Sequence, residues 1–314
     1  MSESYLTSRG FTYLSHGAFG DVYAKDRVAF KLFTKGTPEA QREEYKRLEE
    51  IHSTFQRYPS LFQVPAPLAL KINDEDPNVP EYMLVFRQPS MAMELLNPIP
   101  KAVGRAILEE SGKSNETGTI KLCQICFRQP DPVSNDKRKS NLNPSLDNFP
   151  LKASIYMKLV ERFPDQFTPL LDVARSMGAR LADLHWKVGI LPHDIEFVMS
   201  GASQTEKPLD VGYYIIDFGL VEKWNSQLDG SFDALLKSFF IRNLWCPSPI
   251  PGDALYEAFK GGYTASCPDR TYADKFFKAI EERKPIQSRI REYVEDEEEE
   301  KAGGEKAGVS KSVE

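Results

Sequence analysis

Asp217 stands at the exit of four large apolar residues, Tyr213-Tyr214-Ile215-Ile216, and is followed by Phe218 and Gly219. A carboxylate at the end of a buried strand, next to a residue that lets the backbone turn sharply, suits a hard cation such as Mg²⁺. Upstream, Asp194 and Glu196 sit one residue apart in Pro192-His193-Asp194-Ile195-Glu196-Phe197, between apolar neighbours. If the strand beginning there pairs antiparallel with 213–216, all three carboxylates converge at one end of a hairpin. Such crowding raises carboxylate pKa values unless a cation is present, and a metal–phosphate complex is the natural occupant.

A cation of the chain's own lies far upstream. Lys31 alternates with Ala29 and Phe33 in Val28-Ala29-Phe30-Lys31-Leu32-Phe33, so it shares an otherwise apolar strand face and needs an anion there. Before it, Gly17 and Gly20 occupy a loop where backbone N–H groups can approach phosphate oxygens. A glutamate within reach is Glu44, or less closely Glu43, beside the apolar stripe Tyr45, Leu48, Ile51 and Phe55 of a helix over 38–57. Thr37-Pro38 supplies that helix with a cap and a first-turn proline.

Cys123 and Cys126 have C-x-x-C spacing, and Cys246 and Cys267 could complete a metal site. Leu122–Phe127 reads as a strand, however, where residues three apart face opposite ways, which favours free thiols over zinc.

The elements that must position these residues can be read in order. A hairpin turns at 24–27 and precedes the helix over 38–57. Strand-like pieces cover 64–72, 82–86 and 92–96, and Pro98 and Pro100 end the sheet. A short helix follows over 101–110. Residues 111–147 are the least regular stretch, with a strand-like piece at 119–128 and a Pro-, Asn- and Ser-rich loop after it. Helices are predicted over 151–163, 169–186, 230–243, 253–260 and 268–283. The end of the chain, 292–314, reads as a disordered acidic tail. This organisation predicts an α+β molecule of two lobes: residues 1–96 as a small antiparallel-sheet lobe with one helix, and 97–291 as a mainly helical lobe carrying the irregular insert 111–147.

Hydrophobic content of 41%, with 11% aromatic residues, supports a core. Net charge is −6, and no basic run interleaves with aromatics, so no nucleic-acid partner is expected. No apolar run approaches a membrane span, and Met1-Ser2-Glu3-Ser4 does not open a signal peptide. The expectation is an intracellular protein, cytoplasmic or nuclear, without a membrane partner.

The ordered set of pieces resembles the protein-kinase-like fold. Ser15-His16-Gly17-Ala18-Phe19-Gly20-Asp21-Val22 is similar to the kinase phosphate loop, Val28-Ala29-Phe30-Lys31 to the lysine strand, Gly189–Ile195 to the catalytic loop, and Asp217-Phe218-Gly219 to the metal-binding triplet. The finer texture of 93–98, 146–151, 194–199 and 239–251 resembles a fungal kinase-like family of unknown function often labelled "zinc finger protein". The kinase resemblance implies ATP and Mg²⁺ as ligands. It assigns nucleotide contacts to Gly17, Gly20, Val22, Ala29, Lys31 and Glu44, with backbone groups near Glu94 and Leu95 facing adenine. It assigns metal binding to Asp217 and Glu196, and catalysis to Asp194 with Lys31. Departures from the pattern are the shortened catalytic loop, which puts Glu196 where kinases carry an asparagine, and the lack of Ala-Pro-Glu after Gly219. Two readings follow: an atypical kinase acting on a hydroxyl of a protein or small molecule, or an inactive pseudokinase serving as scaffold or regulator, with a transcription-associated role as a further option.

Overall fold

The structure, a computed structural model, describes residues 3–17, 19–73, 79–128, 145–202, 210–240 and 245–282. The acidic end and the loop 129–144 lie outside the described residues.

A short helix α1 (Glu3–Ser8) leads into β1 (Thr12–Gly17), β2 (Gly20–Lys25) and β3 (Val28–Phe33). Asp26 and Arg27 make the β2–β3 turn, both with left-handed φ, as a tight two-residue hairpin demands. Helix α2 (Pro38–Arg57) starts where Thr37 accepts a hydrogen bond from Ala40 N–H. Then come β4 (Phe62–Gln63), β5 (Pro67–Lys71) and β6 (Ser90–Glu94). The first sheet is antiparallel in the order β1-β2-β3-β6-β5. Residues 82–86, expected as a strand, instead form a short 3₁₀ turn over Glu81–Met83 and its exit. Met83 and Phe86 are buried by it and join Leu6, Phe11, Phe30 and Ala92 in a small core.

The rest of the described chain runs α3 (Lys101–Glu110), β7 (Leu122–Cys126), β8 (Asn148–Lys152), α4 (Ala153–Arg162), α5 (Leu170–Asp183), β9 (Ile190–Leu191), β10 (Glu196–Gly201), β11 (Val211–Ile216), β12 (Glu222–Lys223), α6 (Ser231–Phe240), α7 (Ala254–Ser266) and α8 (Arg270–Glu282). Strands β10 and β11 pair antiparallel, with Glu196 opposite Ile216. They lie inside a second sheet, β4-β11-β10-β7-β8. The irregular stretch 111–147 is thus not an excursion throughout: its strand β7 pairs with β10, and with β8 just beyond it.

Helix α2 joins the two parts. Its residues Leu48, Ile51 and Phe55 belong to the large core that also holds Val173, Met177, Leu181 and Ile215, while Glu44 lies against the first sheet. The expected stripe is therefore buried except at Tyr45, which is half-buried, with Gln41 buried in addition. Arg180 on α5, 1% exposed, fastens this junction. It donates to the Phe62 carbonyl at 3.1 Å and to Asp183 at 2.9 Å, and its guanidinium lies 3.9 Å from the Phe55 ring centre. A charge so buried is tolerable only with such partners. Together these features make a mixed α+β molecule, with an antiparallel sheet region first and a mainly helical region after it.

Candidate functional site

Lys31 reaches from β3 to α2, where Nζ lies 2.6 Å from Glu44 Oε1, and both side chains are nearly buried. The strand lysine thus finds the glutamate expected for it. Phe33 and Phe19 flank the ammonium, with ring centres 5.6 and 5.9 Å away. Val22 stands directly across from Lys31 on β2, and Ala29 shares its face, so both line the same side of the sheet.

The acid from the other part of the chain meets this pair. A methyl built on Gly219 would come within 3.6 Å of Asp217 Oδ1 and 3.8 Å of Lys31 Nζ. Ammonium and carboxylate therefore face a common space floored by Gly219. Asp217 is an exposed residue, yet protein crowds its carboxyl group. Lost hydration pushes its pKa up, and Asp194 and Glu44 push the same way. Lys31 and the Gly219 N–H pull it down. Glu196 is raised to about 7, first by burial and then by Asp217 and Asp194, with the Asn148 hydrogen bond opposing. Glu196 thus feels both aspartates, and the β10–β11 register, with Glu196 opposite Ile216, brings them to one end of the hairpin.

Asp194 and Asp217 share a further property. Among the described residues, only four that are not glycine have left-handed φ, and two of those are the hairpin turn; the others are Asp194 at 60° and Asp217 at 65°. Backbone strain of this kind collects at functional sites.

Other expected site residues fare differently. Gly20 is required by packing: a Cβ there would sit 2.3 Å from the Leu32 carbonyl oxygen. Gly17 pairs with Gly20 at the tip of the β1–β2 hairpin. At Glu94 and Leu95 the backbone N–H groups are already committed, to the Ala66 carbonyl at 2.9 Å and the Arg27 carbonyl at 3.2 Å. The four thiols are free.

Sequence reasoning missed three participants. Gln124 on β7 donates to Glu196 Oε1 at 3.0 Å, and Asn148 on β8 donates to Glu196 Oε2 at 2.7 Å. Arg47 on α2 donates to the Val221 carbonyl at 2.9 Å, tying the helix to the segment after Gly219. Only an expectation that β7 and β8 flank β10 could have exposed the two amides. Arg47, one turn beyond Glu44, was within reach of the helical period.

A pocket of about 220 Å³ opens on the Glu44 side of the pair, lined in part by Phe19, Phe33, Lys35, Glu44, Arg47 and Gly219, with neither Lys31 nor Asp217 in its wall. It is smaller than the roughly 300–1,000 Å³ of pockets that enclose a whole ligand. Among the described residues no group of three His, Cys, Asp or Glu side chains could hold a metal unaided. Mg²⁺ commonly takes one or two carboxylates and completes its shell with phosphate and water. Asp217 and Glu196 are hard oxygen donors of that kind, and Asn148 Oδ1 nearby is buried with no hydrogen-bond partner. The residues present fit the ion.

The fold is a mixed α+β one, an antiparallel sheet region followed by a mainly helical region, and the Lys31–Glu44 pair and Asp217 come from the two regions. No family model matches the chain, and no curated protein does. Solved structures similar to it include the Rio2 kinase from Chaetomium thermophilum, at 14% identity over 93% of this chain and 76% of that one, TM-score 0.30. An ADP/Mg²⁺-phosphoaspartate complex of that kinase matches at 14% over 93% and 74%, TM-score 0.30. A GDP complex of an aminoglycoside 2'-phosphotransferase mutant matches at 13% over 87% and 90%, TM-score 0.24. Likenesses this low carry nothing about ligand or activity, and the narrower resemblance to the fungal family gains no support from them. Among the described residues no helix is long and apolar enough to cross a membrane.

Proposed function

We propose that this chain binds ATP with Mg²⁺ between its two parts and transfers phosphate to a hydroxyl of a protein or small molecule. The observation that carries the reading is the buried Lys31–Glu44 pair facing Asp217 across Gly219. Glu44 orients the Lys31 ammonium, which meets phosphate oxygens as a point charge. Asp217 and Glu196 would hold the metal. Asp194 accepts the proton of the attacking hydroxyl. Bound Mg²⁺ supplies charge neutralisation of the phosphates.

A second reading, an inactive scaffold or regulator, is favoured by one observation: the backbone donors of Glu94 and Leu95 are occupied within the chain. The test is a thermal-shift titration with ATP and Mg²⁺ on the parent protein and on Lys31→Ala and Asp217→Asn. Stabilisation of about 2.7 kcal/mol is expected at a hundredfold excess over Kd. Both variants should lose most of it. A parent that shows no shift would defeat nucleotide binding. A shift without ATP turnover would favour the regulator.

A further inference from the structure

Each oxygen of the Glu196 carboxylate is met by a different side-chain amide, one from the irregular stretch 111–147 and one from the strand just after it. Gln124 Nε2 takes Oε1 at 3.0 Å and Asn148 Nδ2 takes Oε2 at 2.7 Å. The register explains the convergence. Gln124 stands opposite Val198, two residues from Glu196, so the two share a sheet face. Asn148 pairs with Leu122, two residues from Gln124, and so lies on that face too. The three side chains run along one diagonal of the sheet, ending beside Ile216, the residue before Asp217.

Two features set this apart from ordinary satisfaction of a buried acid. The carboxylate is held at both oxygens by groups that donate but carry no charge, so its own negative charge is not cancelled. One of the two holders is also incomplete: Asn148 Oδ1 is buried and accepts no hydrogen bond. An uncancelled carboxylate and an unsatisfied amide oxygen both call for a cation or its bound water. Two fixed hydrogen bonds leave the carboxylate little rotational freedom, which is how outer partners of a metal site aim their ligand.

We infer that Gln124 and Asn148 are positioning residues that aim Glu196 at a divalent cation shared with Asp217. This rests on the proposed ATP–Mg²⁺ reading and assigns β7 and β8 a part in it. The experiment measures Mn²⁺ binding, with Mn²⁺ as a paramagnetic probe followed by water-proton relaxation. It is run with and without ADP on the parent, Gln124→Leu, Asn148→Ala, and each of these in a Glu196→Gln background.

Losing either amide should weaken Mn²⁺ binding in the ADP complex by about 10–100-fold, with ADP affinity in the absence of metal unchanged. In the Glu196→Gln background the same substitutions should change nothing further. A merely structural role would not produce that dependence on Glu196, and unliganded thermal unfolding checks that the variants fold. If the parent binds ADP and Mn²⁺ but the amide variants match it, the positioning role is overturned while the nucleotide reading stands. An equal loss in the Glu196→Gln background overturns it too. If the parent takes up neither ADP nor Mn²⁺, both fall.

Discussion

Glu196 and Asp217 are carboxylic acids whose folded surroundings favour the protonated form, Glu196 up to about 7 and Asp217 in the same direction. Between the ordinary glutamate value of 4.5 and about 7, the unfolded chain has released a proton that folded Glu196 still holds. Stability therefore falls as pH rises through that window, since the native state binds more protons there. Glu196→Gln should flatten the fall without abolishing it, because Asp217 contributes with the same sign. Urea unfolding midpoints at pH 5 and pH 7.5 check this, and an equal drop in parent and variant would contradict it. These residues were legible because their chemistry is written in type and spacing: an acid after an apolar run, a lysine on an apolar strand face. What spacing could not show is the left-handed φ of Asp194 and Asp217. That conformation is imposed by the loops around them.

At the scale of elements, the β2–β3 hairpin and α2 were readable from turn chemistry, alternation and a Thr-Pro start, and they lie where local rules put them. The expected strand over 82–86 was misread because its apolar residues fill a small core from a turn instead. A short apolar run does not distinguish the two. Strand β7 was seen, but its place beside β10 was not, since no local signal fixes which strands a distant segment will join. Gly20 also has a packing role that the sequence did not suggest. Its missing side chain lets β2 lie close to the Leu32 carbonyl. Gly20→Ala should destabilise the unliganded protein by roughly 1–3 kcal/mol through overpacking, measured by chemical unfolding. A fully stable variant that only loses nucleotide would return the glycine to a phosphate role.

On the scale of the whole molecule, the small core under the first sheet and the large one around α5 and β10–β11 are separate clusters. Helix α2 is shared between them, packing its apolar residues into the large core while Glu44 holds Lys31 on the first sheet. Arg47 and Arg180 extend the same junction, one to Val221 and the other to Phe62. The position of the lysine relative to Asp217 is therefore set by packing over the length of one helix, and ligand binding should be felt by both cores. The central claim is that the space between Lys31 and Asp217 recognises phosphate. Isothermal titration of ADP and of adenosine, each with Mg²⁺, tests it most directly. The account predicts that ADP binds at least about tenfold more tightly, a difference of about 1.4 kcal/mol, and that Lys31→Ala removes the preference. Equal affinity for the two ligands in the parent protein would contradict it.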